Sequence, residues 1–385
     1  MRAATPREPR IRLAIAFGLL AALCLATSPP AAAKKKAAPT KVLPLVWPLP
    51  PEQPRIKFVR AIYGAADIMP YKKANLLDKM AGITKSALKP GFVKPYGIAT
   101  DSHDRIYVTD SGQGLVFVLD LANKEVSFLG NNSQAQLKVP LGITVDTKDR
   151  IWVADAVKQH VYAFAPDGTP LMALGKVGEM VNPTSVALDE ARHRLYVVDS
   201  RQHTILVYDP ESGQLVTKFG KRGAGKGEFN FPTNVAVDRA GRIYITDTLN
   251  CRVQIFGPDY KFQDTFGSRG NGFGDFLKPK GLALDSYQNL YVVDADFDNF
   301  QIFDPQKRLL MFLGGGGIQP GTFWLPAGIY IDHRNQIYVA DQNNRRIQIF
   351  QLLNGVTAEP SPAGPNANRD QAQGKGGSSR VANSN

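Results

Sequence analysis

FPTNVAVDRAGRIYITDTLNCRVQIF, residues 231–256, holds three short apolar segments separated by turn residues. NVAVD, RIYITD and RVQIF are rich in Val, Ile, Tyr and Phe, which fit the pleated surface of a sheet. RAG and TLN between them are rich in residues that favour turns. The stretch therefore predicts three consecutive antiparallel strands.

The same pattern recurs six times along the chain. Each copy opens on a proline, namely Pro95, Pro140, Pro183, Pro232, Pro279 and Pro326. A first aspartate follows six residues later, at Asp101, Asp146, Asp189, Asp238, Asp285 and Asp332. A second aspartate closes the second predicted strand, at Asp110, Asp155, Asp199, Asp247, Asp294 and Asp341. Because each aspartate recurs at one position of every copy, we expect both columns to bond backbone amides and cap turns.

The repeat length and strand content favour a β-propeller. Copies of 43–49 residues add a fourth strand that ends in Gly, as in TKFG and DTFG. The sixth copy stops after its third strand, while RIKFVRAIYG (55–64) is β-rich and unassigned. The predicted fold is all-β: a six-bladed propeller of four-stranded antiparallel blades over residues 95–353, with 55–64 as closing strand of the last blade.

GKRGAGKGEF (220–229) resembles a phosphate-binding loop, but its alignment with the repeats favours another interpretation. GSRGNGFGDF and GGGGIQPGTF occupy the same place in the next two copies, and Gly227 stands where a phosphate loop needs Ser or Thr. These segments are predicted to be crossovers between blades, with Gly forming turns and Phe229, Phe276 and Phe323 packing between blades.

Residues 1–33 have the pattern of a secretory signal peptide. Four arginines precede the apolar run 13–26, and Ala31–Ala33 form a cleavage box. Lipid attachment at Cys24 is an alternative, which Leu23 disfavours because a small residue is usual there. The sequence therefore predicts a periplasmic or secreted protein with no transmembrane segment in the mature chain. Cys251 is then its single thiol, so no internal disulfide is expected.

Three further segments lie outside the repeats. Residues 34–54 form a basic, Pro-rich spacer, and 65–94 form an insertion with apolar residues at helical spacing. Residues 354–385 lack large apolar side chains, which predicts a disordered tail. The insertion helix, 72–88, and the tail together could serve as an assembly scaffold.

The repeated sequence pattern resembles the NHL repeat. It is clearest in residues 231–256 and in LPAGIYIDHRNQIYVADQNNRRIQIF (325–350). The resemblance covers about residues 95–350. It implies a propeller used as a protein-binding module, with multihaem cytochromes among candidate partners of an exported form. It also admits a metal-assisted lyase or hydrolase with its site in the central channel.

Candidates for metal binding are few. DADFDN (294–299) places Asp296 and Asp298 at alternate positions, as in the start of a calcium loop, and His160 and His203 fall in loops of neighbouring blades. Calcium or zinc is possible at these residues, but neither is predicted as a cofactor. No catalytic residue set can be assigned.

Polar and basic side chains gather in the loops between second and third strands. The net charge of +12 favours acidic partners, and export disfavours nucleic acid. We predict that this loop face binds a protein or envelope ligand. Its candidate residues are Lys158, Gln159, His160, Arg201, Gln202, His203, Asn250, Arg252, Asn343, Arg345 and Arg346.

Overall fold

The computed structural model describes residues 44–69, 90–131 and 135–353. The predicted signal peptide, the predicted insertion helix 72–88 and the predicted tail lie outside these residues. No helix in the described part is long and apolar enough to cross a membrane.

Six antiparallel sheets form the propeller, one for each repeat. Blade 1 contains β3 (Pro95–Thr100), β4 (Ile106–Asp110), β5 (Leu115–Asp120) and β6 (Glu125–Leu129). Blade 2 contains β7 (Pro140–Val145), β8 (Ile151–Asp155), β9 (His160–Phe164) and β10 (Pro170–Leu174). Blade 3 contains β11 (Pro183–Asp189), β12 (Arg194–Asp199), β13 (Thr204–Tyr208) and β14 (Leu215–Phe219).

The second half of the ring has the same order. Blade 4 contains β15 (Pro232–Val237), β16 (Ile243–Asp247), β17 (Arg252–Phe256) and β18 (Phe262–Phe266). Blade 5 contains β19 (Pro279–Leu284), β20 (Leu290–Asp294), β21 (Asn299–Phe303) and β22 (Leu309–Gly314). Blade 6 contains β23 (Pro326–Ile331), β24 (Gln336–Asp341) and β25 (Arg346–Leu352). Short 3-10 helices span Ala65–Asp67, Glu190–Arg192 and Thr248–Asn250.

The N-terminal strand closes the ring. β2 (Ile56–Ile62) pairs antiparallel with β25, with Phe58 opposite Phe350. Outside it lies β1 (Val46–Trp47), within the segment expected to be a spacer, so that blade 6 has five strands. Trp47 packs edge-on against Phe350, with ring centroids 5.8 Å apart, which gives this short strand an apolar anchor.

The core lies between blades. Each of its six apolar clusters joins strands of neighbouring blades, and Phe229, Phe276 and Phe323 of the crossovers are fully buried within them. Gly220, at the start of the first of these crossovers, has a φ of +89°, and a Cβ there would collide with the phenyl ring of Phe229. The predicted role of GKRGAGKGEF as a crossover is confirmed.

The aspartates of the first column cap the turns between the first and second strands of the blades. Asp101 accepts hydrogen bonds from the amides of His103 and Arg105 and from the Tyr107 hydroxyl. The equivalent aromatic residue donates to the same aspartate in every blade except blade 3. There the Tyr196 hydroxyl has no partner in the described part of the chain, and Asp189 caps an extra 3-10 turn.

Candidate functional site: the loop face

The loop face is the end of the propeller that carries the loops between second and third strands and the crossovers between blades. Its turns are set by the second aspartate column. Asp110 accepts hydrogen bonds from the amides of Val93 and Lys94, at 2.7 and 3.0 Å, and from the amides of Gly112 and Gln113. Asp294 does the same for Leu277, Lys278, Asp296 and Phe297. The expected structural role of this column is confirmed.

A glutamine on the third strand fixes each crossover in blades 4, 5 and 6. Gln301 accepts a hydrogen bond from the Gly274 amide (3.2 Å) and donates one to the Asp275 carbonyl (2.8 Å). Gln254 and Gln348 make the equivalent pairs. These glutamines are not among the residues predicted from the sequence, although their shared place in RVQIF, NFQIF and RIQIF signals a common role. The crossovers of these blades are therefore rigid parts of the face.

Arg346 has a structural role rather than the predicted place in a binding surface. Its side chain is 1% exposed, and its Nε donates to Asp341 at 2.7 Å. Its remaining donors bond the carbonyls of Ile318, Gln319 and Thr322 and the Tyr63 hydroxyl. With these donors engaged by the protein, the guanidinium has no free face for a ligand.

Arg252, Asn250 and Gln202 are also engaged by the scaffold. Arg252 donates to Asp247 at 2.8 Å and to the carbonyls of Gly225 and Glu228. Asn250 bonds the Gly223 carbonyl and Asp247. Gln202 donates to the Glu179 carbonyl. These side chains hold crossovers in place, and all three are partly exposed.

Two proposed metal ligands connect neighbouring blades. His203 and Asp298 occupy the same repeat position, just before the third strand, and both have positive φ. The Nδ1 atom of His203 accepts a hydrogen bond from the Phe231 amide (3.0 Å), and the Oδ1 atom of Asp298 accepts one from the Leu325 amide (2.7 Å). Each donor belongs to the next blade, so a backbone amide already uses one potential ligand atom of each residue.

Burial shifts the pKa of both residues toward their neutral forms. Burial, and then the positive charge of Arg222, lower the pKa of His203. Burial raises the pKa of Asp298, and the charges of Asp341, Asp296 and Asp294 act in the same direction.

The other metal candidates are dispersed. The Nδ1 atom of His160 lies 2.6 Å from the Lys158 carbonyl oxygen, and Asp296 forms an ion pair with Lys278 at 3.5 Å. Within residues 44–69, 90–131 and 135–353, no three His, Cys, Asp or Glu side chains are grouped so as to hold a metal ion.

Several predicted residues do reach solvent. Gln159, Arg201, Asn343 and Arg345 are exposed, and Lys158 and His160 are partly buried. Apolar side chains stand among them: Val157 is 60% exposed, Leu249 44% and Trp324 53%. The loop face thus presents cationic and apolar groups side by side.

Cations on this face largely lack counter-ions. Several form no ion pair in the described part of the chain: Lys94, Lys138, Lys158, Lys176, Arg201, Arg222, Lys226, Arg269, Lys280 and Arg345. On the opposite face, arginines of the first turn are paired with carboxylates in five blades, at Arg105, Arg150, Arg192, Arg242 and Arg334. The two ends of the propeller therefore differ in how far their positive charge is neutralised.

A cavity of about 240 Å³ lies along the axis of the ring. The innermost strands of all six blades line it, mostly with small and apolar residues, and Thr144, Ser185 and Asn234 add polar groups. The pKa of Tyr96, at one end of this lining, is raised to about 12 by burial.

Three family models match parts of the chain. The SMP-30/Gluconolactonase/LRE-like region matches residues 86–200, the NHL repeat matches 229–256 and 323–350, and a 6-bladed beta-propeller model matches 179–242. Together with the six sheets, these matches show a six-bladed β-propeller that contains NHL repeats. The NHL matches fall on blades 4 and 6, two of the three blades with glutamine-fixed crossovers.

Known relatives are similar over limited stretches. The mouse E3 ubiquitin-protein ligase NHLRC1 is 31% identical over 94 residues, 24% of this chain and 23% of that protein. The chain spans about a quarter or less of the length of the curated relatives it matches.

Solved structures share the fold at lower identity. An auxiliary nutrient binding protein from Bacteroides thetaiotaomicron is 15% identical with a TM-score of 0.56, covering 75% of this chain and 76% of that one. A virginiamycin B lyase from Staphylococcus aureus is 15% identical with a TM-score of 0.50, covering 68% and 81%. At these identities the similarity shows the fold alone.

Proposed function

We propose that this chain is an exported binding module whose loop face binds an acidic partner protein of the cell envelope. The observation that carries the proposal is the set of loop-face cations without counter-ions, interleaved with exposed apolar side chains. Carboxylates of a partner would supply the missing counter-charges, and apolar contacts would exclude water around them.

The rigid crossovers favour recognition without rearrangement. Glutamine pairs, the partly buried Arg252 and the buried Arg346 fix the loops. Exposed groups such as Arg201 and Arg345 therefore project from a defined frame. Less ordering entropy is then lost on binding. The guanidinium of an exposed arginine can bond a carboxylate through two parallel hydrogen bonds, which adds orientation to charge attraction.

Two other observations support the proposal. NHL-repeat relatives include an E3 ubiquitin-protein ligase, a protein that acts on other proteins. Residues 1–33 resemble a secretory signal peptide, which would bring the face into contact with envelope proteins, multihaem cytochromes among them.

The test is chemical cross-linking in the native envelope followed by purification and mass spectrometry. The test variant carries Arg201→Glu, Arg222→Glu and Arg345→Glu, all at exposed loop-face positions. A matched control carries Lys124→Glu, Arg239→Glu and Lys261→Glu, at exposed positions of the opposite face. Both variants are checked for unchanged thermal unfolding before capture.

We expect a stoichiometric acidic partner with the wild type and the control variant, and its loss with the loop-face variant. Retention of the partner by the loop-face variant would contradict the assignment of this face. Failure to capture any stoichiometric protein with the wild type would contradict the binding function itself.

A further inference from the structure

Lys280 stands at the loop-face end of the central channel. It is the second residue of β19, the innermost strand of blade 5, and Leu282, two residues further on, lines the axial cavity. The Lys280 carbonyl accepts a hydrogen bond from the Thr233 hydroxyl at 3.3 Å, which ties this position to the innermost strand of blade 4. This places Lys280 at the loop-face end of a strand that lines the cavity, a position called here the channel mouth.

The side chain of Lys280 is partly buried and makes no hydrogen bond or ion pair with the described part of the chain. Two other lysines, Lys278 and Lys94, are close enough for their charges to act on it, and Asp296 is the one carboxylate that opposes them. Burial and these two positive charges lower the pKa of Lys280 to about 8. Asp296 is itself paired with Lys278 at 3.5 Å.

Space and a hydrogen-bonding group lie further along the innermost strands, beginning on β19 two residues after Lys280. The cavity of about 240 Å³ has room for a small organic molecule, since a water in the liquid takes up about 30 Å³. Asn234, which follows Thr233 on β15, lines the cavity, and its side-chain amide has no partner in the described residues. A carboxamide can both donate and accept hydrogen bonds.

We propose that the channel mouth is a binding site for a small oxyanion, a carboxylate or a phosphate, held by Lys280 with Lys278 and Lys94. The anion supplies the counter-charge that Lys280 lacks, and the rest of the ligand extends into the cavity toward Asn234. Lys94 and Lys280 are among the loop-face cations without counter-ions, but the anion site lies at the channel mouth and not at the exposed arginines Arg201, Arg222 and Arg345, so it goes beyond the proposed partner binding.

The test measures thermal unfolding during titration with malonate and, separately, with inorganic phosphate, which distinguishes the two anion classes. In anion-free buffer, Lys280→Met should raise Tm above that of the wild type, because it removes a partly buried cation that lies near two others. The same variant should lose the anion-dependent rise in Tm. Lys94→Gln, at an exposed position, should weaken the anion affinity by about tenfold at most.

Lys176→Met is the matched control, since Lys176 is an exposed crossover lysine of the same face. It should respond to malonate as the wild type does. Malonate affinity of the wild type should also fall as the pH rises above about 8, where Lys280 loses its proton. An unresponsive wild type, or a Lys280→Met variant that responds like the wild type, would overturn the proposal.

Discussion

Adjacent arginines of the loop face have opposite roles. Arg345 and Arg346 follow one another in NNRRIQIF, and their residue type gives no means of separating them. Arg345 lies in the left-handed turn and is exposed, while Arg346 opens β25 and is buried. The distinction depends on where the turn ends and on the crossover from the previous blade. Neither can be read from the sequence at single-residue precision.

Replacing Arg346 should destabilise the whole domain. Arg346→Leu leaves the buried Asp341 without its cationic partner and several crossover carbonyls without donors, for a loss of about 3–5 kcal/mol. The matched change Arg345→Leu should alter the free energy of unfolding by less than about 0.5 kcal/mol. Urea unfolding of both variants checks this expectation, and equal losses would refute the structural role of Arg346.

His203 should make the junction of blades 3 and 4 sensitive to acid. Its pKa in the folded state is lowered from the ordinary value of 6.5, so the unfolded chain takes up a proton at higher pH than the folded one. The stability that His203 contributes is therefore present above pH 6.5 and declines as the pH falls below it. Protonation also removes the acceptor that Nδ1 offers to the Phe231 amide.

The measurement is the free energy of unfolding between neutral and mildly acidic pH, for the wild type and for His203→Asn. Asparagine keeps a side-chain acceptor and tolerates positive φ, but it does not titrate. A shallower decline toward acid in the variant is expected. The same slope in both proteins would show that His203 is not the sensor.

At the scale of elements, the repeat made most of the fold predictable. Six copies of one pattern give the strand order of every blade, and the unassigned segment RIKFVRAIYG identified the closing strand. β1 was missed because two residues, Val46 and Trp47, are too few to show a period. Its position depends on a contact between Trp47 and Phe350, which are distant in sequence.

Closure by β2 predicts that its buried residues support the entire ring. Ile56 is fully buried beside Phe323 and Phe350, so Ile56→Ala should cost about 2–5 kcal/mol. Lys57→Ala, at the exposed neighbouring position, should have little effect. In thermal unfolding, the Ile56→Ala variant should show one transition at lower temperature. A separate early transition with an unchanged main one would mean that β2 detaches independently of the ring.

At the scale of the whole molecule, the repeats predicted which loops share a face, because corresponding loops fall at the same end of each blade. Pairing of charge could not be predicted in the same way. Arg150, for example, bonds Glu211 of the neighbouring blade, 61 residues away in sequence. Such contacts decide which cations stay unpaired, and thus which members of the predicted surface are available to a partner.

The most direct measurement of the proposed binding is the location of lysine cross-links to the captured partner. Binding on the loop face predicts cross-links at Lys138, Lys158 and Lys176, and their suppression at high salt, where exposed charges are screened. Cross-links confined to Lys124, Lys148 and Lys261 of the opposite face, or to the insertion segment 72–88, would contradict it.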